Sequence, residues 1–571
     1  MIRGYVDKIR EVYRESNLAG KGRMEELIQG ITTISLGNNT RQTSYVKSLM
    51  AWLEKEKEEE AKQVEREDAC VKHLVISCSE TGLGGHTEVY LEREDGLPKH
   101  TLKVGDTVKL VPERKGLVGE KRGCEDGDDL LGFVKEINKD SILIGLDDLY
   151  LSLENLNTAW TITKDNNKVV FKWIGSVLEL VEDYCLGVKL PQSAWPGDSD
   201  LISLMLTSSP EKPKFNHQPI IGFHDQKLDA SQMEAVRHCV AAHDVALIHG
   251  PPGTGKTRAL VELVRRLVQD GNKVLVCGPS NTSVDNLLER ISKTSVSCLW
   301  IGNADRLKLQ SLRPFLIDTK IKEDINIHAI RKRMDKLRDA IIRCRFDADR
   351  QEMHAELREL KKRLFLEEKH VIEKLLKEHD AIFSTLSGVG SRILQEQAFN
   401  VLVIDEATQA IEPECWVAIS HADKVIFTGD HHQLPPVVLT QNSILENTIF
   451  ERLLNTFDYT SYMLKTQYRM HQSIVGFSNA QFYENKLSSD ELCKLHLLID
   501  LPQVINSRIA KLPLVFINTA GKSLYESPGA KSKSNSFEAV LVVYHLKTLL
   551  KLGLDPSDIA IISPTMPKST F

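Results

Sequence analysis

Apolar and polar positions fall into three textures along the chain. Residues 1–66 are charged and read as helical, and the run EKEKEEEAKQVERED at 54–68 predicts a solvated helix face. From Lys72 to about Asp148 come short apolar stretches, HLVISC, TEVYLE, DTVKLV and SILIGL, separated by Gly and Asp. That texture predicts a small antiparallel barrel or sheet. Helical spacing returns at 167–183, where Val170, Ile174, Val177, Leu178 and Val181 share one face. A linker rich in Pro, Ser and Gly is predicted over roughly 190–215. Beyond it, VALIHG (245–250), KVLVCGP (273–279), VLVID (401–405) and KVIFTGD (424–430) are β-branched runs alternating with helical segments. Strands buried on both faces read this way, so a parallel, doubly wound α/β sheet is expected. Neither Gly nor Pro occurs between Pro314 and Gly388, and Met353, Leu357, Leu360, Leu364, Val371 and Leu375 recur at helical spacings. This predicts a helical hairpin inserted into the α/β region, with those residues as its seam. A second α/β region is expected from about Tyr459, with a strand at 514–519, a helix at about 536–551 and a strand at 558–563.

Composition adds limits. At ~150 residues per domain, 571 residues suggest about four domains. No apolar run is long enough for a membrane span, and MIRGYVDKIREVYRES has no signal-peptide pattern. The net charge of −6 excludes a globally basic coat but not a local basic groove. Ten cysteines are scattered singly without a CxxC pair, which argues against a zinc ribbon or a disulfide framework and for a reducing compartment. Cys277 and Cys415 read as small core residues.

The chemistry concentrates at GPPGTGKT, Gly250, Pro251, Pro252, Gly253, Thr254, Gly255, Lys256 and Thr257, between a strand and the helix beginning near Arg258. Glycines let successive N–H groups turn toward a phosphate, and the helix N-terminus adds positive potential. Lys256 can reach β- and γ-phosphates, and the Thr257 hydroxyl can ligate Mg²⁺. VLVIDEATQ supplies paired carboxylates at a strand tip. Asp405 is placed to hold the Mg²⁺ shell and Glu406 to deprotonate an attacking water, which favours ATP hydrolysis over transfer to a metabolite. His249, His431 and His432 lie near this site, but Glu406 makes a catalytic histidine unnecessary. TGLGGHT (81–87) lacks a following helix and reads as a hairpin tip.

Further segments carry a resemblance. LDASQMEAV (228–236), GPSNTSVDNLLER (278–290), FSTLSGVGS (383–391), GDHHQLPPVV (429–438) and LKTQYRMH (464–471) occur in order. With the two phosphate-site motifs, the chain resembles the superfamily 1 helicases of the Upf-like group, and most of all the immunoglobulin-mu-binding-protein type, over about residues 20–563. The resemblance implies RecA-like motor domains, 5′→3′ translocation on single-stranded DNA or RNA, and ATP with Mg²⁺ as cofactors. It implies that Gln232 reads the adenine edge, that Tyr468 packs near the base, and that Arg258 lies in the nucleotide site. Gln433 would sense the γ-phosphate and Arg469 would reach it from the second motor domain. Pro279, Ser280, Asn281, Ser384 and Thr385 would contact nucleic acid. Ribosomal or RNA-processing partners are implied by the family alone; the location is expected to be cytoplasmic, with a nuclear one left open, since no nuclear basic cluster stands out and nothing points to export.

The expected domains are a stalk and barrel at 1–190, a first RecA-like domain at 191–458 with an insertion at about 306–380, and an incomplete second one at 459–571. Residues 331–380 carry 15 basic and 12 acidic residues, which leaves open a strand-gripping subdomain or a solvated hairpin. No Cys/His cluster precedes the barrel, which favours the mu-binding-protein branch. After DIAIISP the family continues into motifs V and VI, whereas here the sequence reads TMPKSTF. A truncated motor is therefore expected, with nucleotide binding retained and turnover reduced. The competing expectation is an ATP-dependent binding module that clamps nucleic acid or a partner without translocating.

Overall fold

The computed structural model describes residues 21–563, apart from 67–69, 82–86, 94–95, 99, 101, 105, 114–129, 147–158, 165–167, 207–221, 303–309, 345–346, 392, 457–460 and 523–534. The expected hairpin tip at 81–87 and the helix expected over the first 20 residues fall largely outside the described residues. Packing divides the chain into two compact units, Met1–His249 with Thr257–Tyr462, and Gly250–Lys256 with Met463–Phe571.

The first unit begins with α1 (Lys21–Arg66). It then forms a closed barrel of six antiparallel strands, β1 (Cys70–Thr81), β2 (Thr87–Glu92), β3 (Thr107–Pro112), β4 (Leu130–Ile137), β5 (Ser141–Leu146) and β6 (Trp160–Lys164), in the order β1-β2-β5-β4-β3-β6. Closure leaves no open edge and buries alternate side chains such as Val89, Leu91, Ile142 and Ile144. The sixth strand, WTITK, lies beyond the expected limit near Asp148. The helix expected at 167–183 is α2 (Lys168–Cys185). Its Ile174, Leu178 and Val181 bury against Val46, Leu49 and Leu53 of α1, so spacings of three and four on each helix make the stalk.

Two expectations fail here. The stretch 190–215 is not a plain linker, because α3 (Asp200–Leu206) buries Leu201, Ile202, Met205 and Leu206. Apolar spacing of one, three and four outweighs the flanking Pro and Ser. The acidic run of α1 is not solvated throughout either. Glu56 is buried and accepts from the Leu439 amide (2.6 Å), the Thr440 amide (2.9 Å) and the Thr440 hydroxyl (2.6 Å).

The unit continues through α4 (Ala230–Ala241), β7 (Val245–His249), α5 (Lys256–Gln269), β8 (Val274–Gly278), α6 (Asn281–Ile291) and β9 (Cys298–Ile301). The insertion is an antiparallel pair, α7 (Ile325–Arg343) and α8 (Asp347–Glu378). Leu357 and Leu364 are buried in its seam, with Met353, Leu360, Val371 and Leu375 packed beside them. Arg331 meets Glu368 across it at 2.6 Å. Then follow β10 (Ala381–Thr385), β11 (Val401–Ile404), α9 (Glu412–Ile419), β12 (Val425–Gly429), α10 (Ile449–Thr456) and β13 (Ser461–Met463). The seven-stranded sheet has the order β13-β7-β12-β11-β8-β10-β9. Its β7-β12-β11-β8-β10-β9 ladder is parallel throughout. The expected α/β class is thus observed, and Cys277 and Cys415 are buried in its core.

The second unit, by itself, is built on a two-residue parallel pairing of Thr466–Gln467 with Ser488–Ser489, on α11 (Gln472–Phe482), and on a small core of Val475, Tyr483 and Leu487. The expected helix is α12 (Ser536–Lys551), whose N-terminus is capped by Asn535. The strands expected at 514–519 and 558–563 are not strands here. A strand is defined by its ladder, and neither segment has a ladder partner among the described residues. Phe516 and Ile562 are 84% and 90% exposed.

Candidate active site

Parallel strands bring their carboxyl ends to one edge, and open α/β sheets place their ligands there. In the first unit β7, β12 and β11 are neighbours, with Gly429 in register with His249 and Phe427 with Ile404. The residues that follow these strands carry the chemistry.

After β11 come Asp405 and Glu406. Asp405 is buried, and its Oδ1 accepts from the Thr428 hydroxyl at 2.7 Å and the Glu406 amide at 2.9 Å, which fixes the carboxylate. Glu406 has φ of +55° and ψ of +37°, the left-handed region that costs a non-glycine residue about 1–2 kcal/mol. Such strain, held by surrounding packing, aims a side chain that relaxed backbone would turn elsewhere. The Glu406 carboxylate also accepts from Gln409 Nε2 at 3.2 Å.

After β12 comes Asp430, which is almost fully buried. Its Oδ1 meets His249 Nε2 at 2.9 Å and accepts from the His432 amide at 3.2 Å. Its Oδ2 accepts from Gln433 Nε2 at 2.8 Å, so Asp430 positions the glutamine. Sequence reasoning chose Gln433 and passed over Asp430, although VIFTGD repeats the pattern of VLVID, an acid directly after an apolar strand. Burial and the neighbouring rings of His249 and His432 push His431 down to about 4, and burial also lowers His432.

Thr257 lies in the first turn of α5. Arg258 makes a bidentate pair with Asp225, Nε at 2.6 Å and a terminal nitrogen at 2.9 Å. That pairing holds the Asp225 carboxyl below its usual range. Gln232 is buried at the start of α4 in a capping box, where its Oε1 accepts from the Asp229 amide at 3.2 Å and its own amide donates to Asp229.

Among the expected strand-contact residues, Pro279 and Ser280 follow β8, and Ser280 caps the N-terminus of α6, which begins at Asn281. Ser280 is exposed there, where helix amides favour a phosphate. Thr385 caps a four-residue helix, its hydroxyl accepting from the Gly388 amide at 3.1 Å. Ser384 is different: it is fully buried in β10, between β8 and β9, and presents no surface to a bound strand. Strand alternation, which sends neighbouring side chains to opposite faces, separates it from Thr385.

In the second unit the phosphate loop has left-handed φ at Gly253 (+76°) and Gly255 (+74°), as a nest of inward amides requires. Thr254 is buried, and its hydroxyl donates to the Pro251 carbonyl at 2.7 Å. Tyr468 donates its amide to the Gly253 carbonyl at 2.8 Å, and a Cβ on Gly253 would stand 2.7 Å from that of Arg469. Only glycine permits that approach. Buried Gln467, overlooked in the sequence, folds the turn bearing both residues. Its Oε1 accepts from the Arg469 and Met470 amides at 2.9 and 2.7 Å, and its Nε2 donates to the Met470 carbonyl at 2.6 Å.

Comparison with known proteins adds identity to this geometry. A family model described as an AAA domain matches residues 227–441, and another of the same description matches 445–566. DNA polymerase alpha-associated DNA helicase A of Schizosaccharomyces pombe is 31% identical over 529 residues, covering 88% of this chain and 77% of that protein. DNA-binding protein SMUBP-2 of Mus musculus is 32% identical over 524 residues, covering 88% of this chain and 51% of that protein. The regulator of nonsense transcripts 1 homolog of Drosophila melanogaster is 32% identical over 348 residues, covering 60% of this chain and 28% of that protein. The chain thus spans about half the length of the SMUBP-2 proteins it matches.

Proposed function

Since the chain belongs to the superfamily 1 helicases of the Upf-like group, we propose that it hydrolyses ATP with Mg²⁺ to move along single-stranded DNA or RNA in the 5′→3′ direction. In this reading residues 1–190 are an accessory stalk and barrel, 191–458 a first motor domain and 459–571 belong to a second. The observation that carries the proposal is the acid pair at the end of β11, with Glu406 half-buried and left-handed and Asp405 buried and pinned by Thr428.

The donor set fits the cofactors. Thr257 and Asp405 offer only oxygen, the ligand type Mg²⁺ takes. The glycine φ values suit a phosphate cradle. Mg²⁺, when bound, supplies neutralisation of phosphate charge. Lys256 and the loop amides bind the phosphates, and Gln232 meets the adenine edge through the polar groups its capping box orients. Glu406 accepts the proton of the attacking water. Gln433, held by Asp430, responds to the γ-phosphate, and Arg469 stabilises charge developing on it. Pro279, Ser280, Asn281 and Thr385 meet the nucleic-acid backbone. The relatives' names point to DNA in two cases and to transcripts in the third, and backbone and stacking contacts serve either sugar.

The test is steady-state ATP hydrolysis with and without single-stranded DNA and RNA. A single strand should stimulate turnover, and Lys256→Ala or Glu406→Gln should each lower kcat by about 100-fold or more. Strand-independent hydrolysis that tolerates Glu406→Gln overturns the reading.

A further inference from the structure

We propose that His249, Asp430 and His431 form a binding site for a divalent transition-metal ion of the Zn²⁺ class. The three residues sit at the carboxyl ends of adjacent strands, His249 closing β7 and the other two following β12, with Gly429 and His249 in register. One ligand atom from each lies within 4.8 Å of the other two. Zn²⁺ bonds of about 2.0–2.1 Å to imidazole and carboxylate put tetrahedral ligand atoms roughly 3.4 Å apart. Closing the set on an ion therefore asks for side-chain adjustments of about an ångström, while the sheet holds the backbone.

Three further observations favour an ion over a plain hydrogen bond between His249 and Asp430. The buried Nδ1 of His431 has no hydrogen-bond partner among the described residues, a condition that costs about 1–3 kcal/mol when nothing meets the atom. The carboxylate is braced as metal-bound carboxylates are, by Gln433 Nε2 on Oδ2 at 2.8 Å and the His432 amide on Oδ1 at 3.2 Å. The rings of His249 and His432 lie 4.9 and 3.9 Å from that of His431, between centroids, so imidazole dominates the surroundings. Two imidazoles and one carboxylate select Zn²⁺, Ni²⁺ or Cu²⁺ rather than Mg²⁺, which prefers oxygen alone. An ion there would fix the segment that carries Gln433. The site lies wholly in the first unit and does not depend on the nucleotide reading.

The test uses the full chain without nucleotide, titrated calorimetrically with ZnCl₂ and followed with Co²⁺ by visible absorption. One Zn²⁺ per chain should bind saturably, and one equivalent of Co²⁺ should show d–d bands without a thiolate-to-metal transition. His431→Asn should weaken Zn²⁺ binding at least tenfold, whereas His328→Asn, on the exposed face of α7, should leave it unchanged. His431→Cys should keep one ion and gain the thiolate transition, an outcome that loss of folding cannot produce. Undiminished binding to His431→Asn, equal weakening by His328→Asn (an adventitious ion only), a thiolate transition already present in the parent, or its absence from His431→Cys would each overturn the proposal.

Discussion

Glu414 shows what one half-buried residue does to the whole chain's response to pH. It sits in the first turn of α9, and burial, then the charge of Glu60, pushes its carboxyl up from 4.5 to about 7. A folded-state value above the unfolded one means that its contribution is full below about pH 4.5 and is lost as the pH rises through about 7. Glu414→Gln should therefore raise stability at pH 8, by roughly 2 kcal/mol, and change it little at pH 5. Urea midpoints at the two pH values would check this, and an equal gain at both would refute it. At this scale the sequence was informative where chemistry follows a strand. Asp405 and Glu406 were legible because paired acids ending an apolar run accompany a phosphate-loop motif, whereas Gln433 came only from the family resemblance. Thr428, Asp430 and Gln467 were not, since a lone polar residue reveals its partner only after folding.

Among the elements, the acidic run of the long helix α1 predicts a solvated face, because charge at that density usually faces water. Glu56 contradicts that by accepting three hydrogen bonds from residues 439 and 440, just beyond the segment that carries Gln433. Glu56→Ala leaves the part-buried Leu439 and Thr440 amides without their acceptor and should cost about 1 kcal/mol. If the stalk also steadies the Gln433 segment, strand-stimulated hydrolysis should fall more than basal hydrolysis. Thermal melts and paired ATPase assays separate those effects, and an unchanged melting temperature would show that the three bonds contribute nothing net. Periodicity found α2, the hairpin α7–α8 and α12. It missed α3 because seven residues bounded by Pro and Ser carry too short a pattern to stand out. It placed strands at 514–519 and 558–563 because composition cannot report whether a neighbouring strand exists.

The first unit is tied together by one buried charge cluster that spans four helices. Arg452 of α10 grips Glu412 of α9 at 3.0 and 2.6 Å and donates to the Met205 carbonyl of α3 at 2.6 Å. Tyr45 of α1 and Trp416 donate to the same carboxylate at 2.8 and 3.1 Å. Glu412 is fully buried, so Arg452→Met strands a charge and should cost about 3–5 kcal/mol. The double variant Arg452→Met, Glu412→Gln should recover part of that, and denaturant midpoints of the two would show whether the pair couples. By itself the sequence determined the α/β class, the barrel texture, the helical insertion and the residues of the phosphate and acid motifs, because periodicity and residue chemistry are local quantities. Strand order, the left-handed turn at Glu406, the burial of Ser384 and the gathering of His249, Asp430 and His431 were decided only in three dimensions. Each depends on which distant segment lies alongside, and no local pattern carries that information.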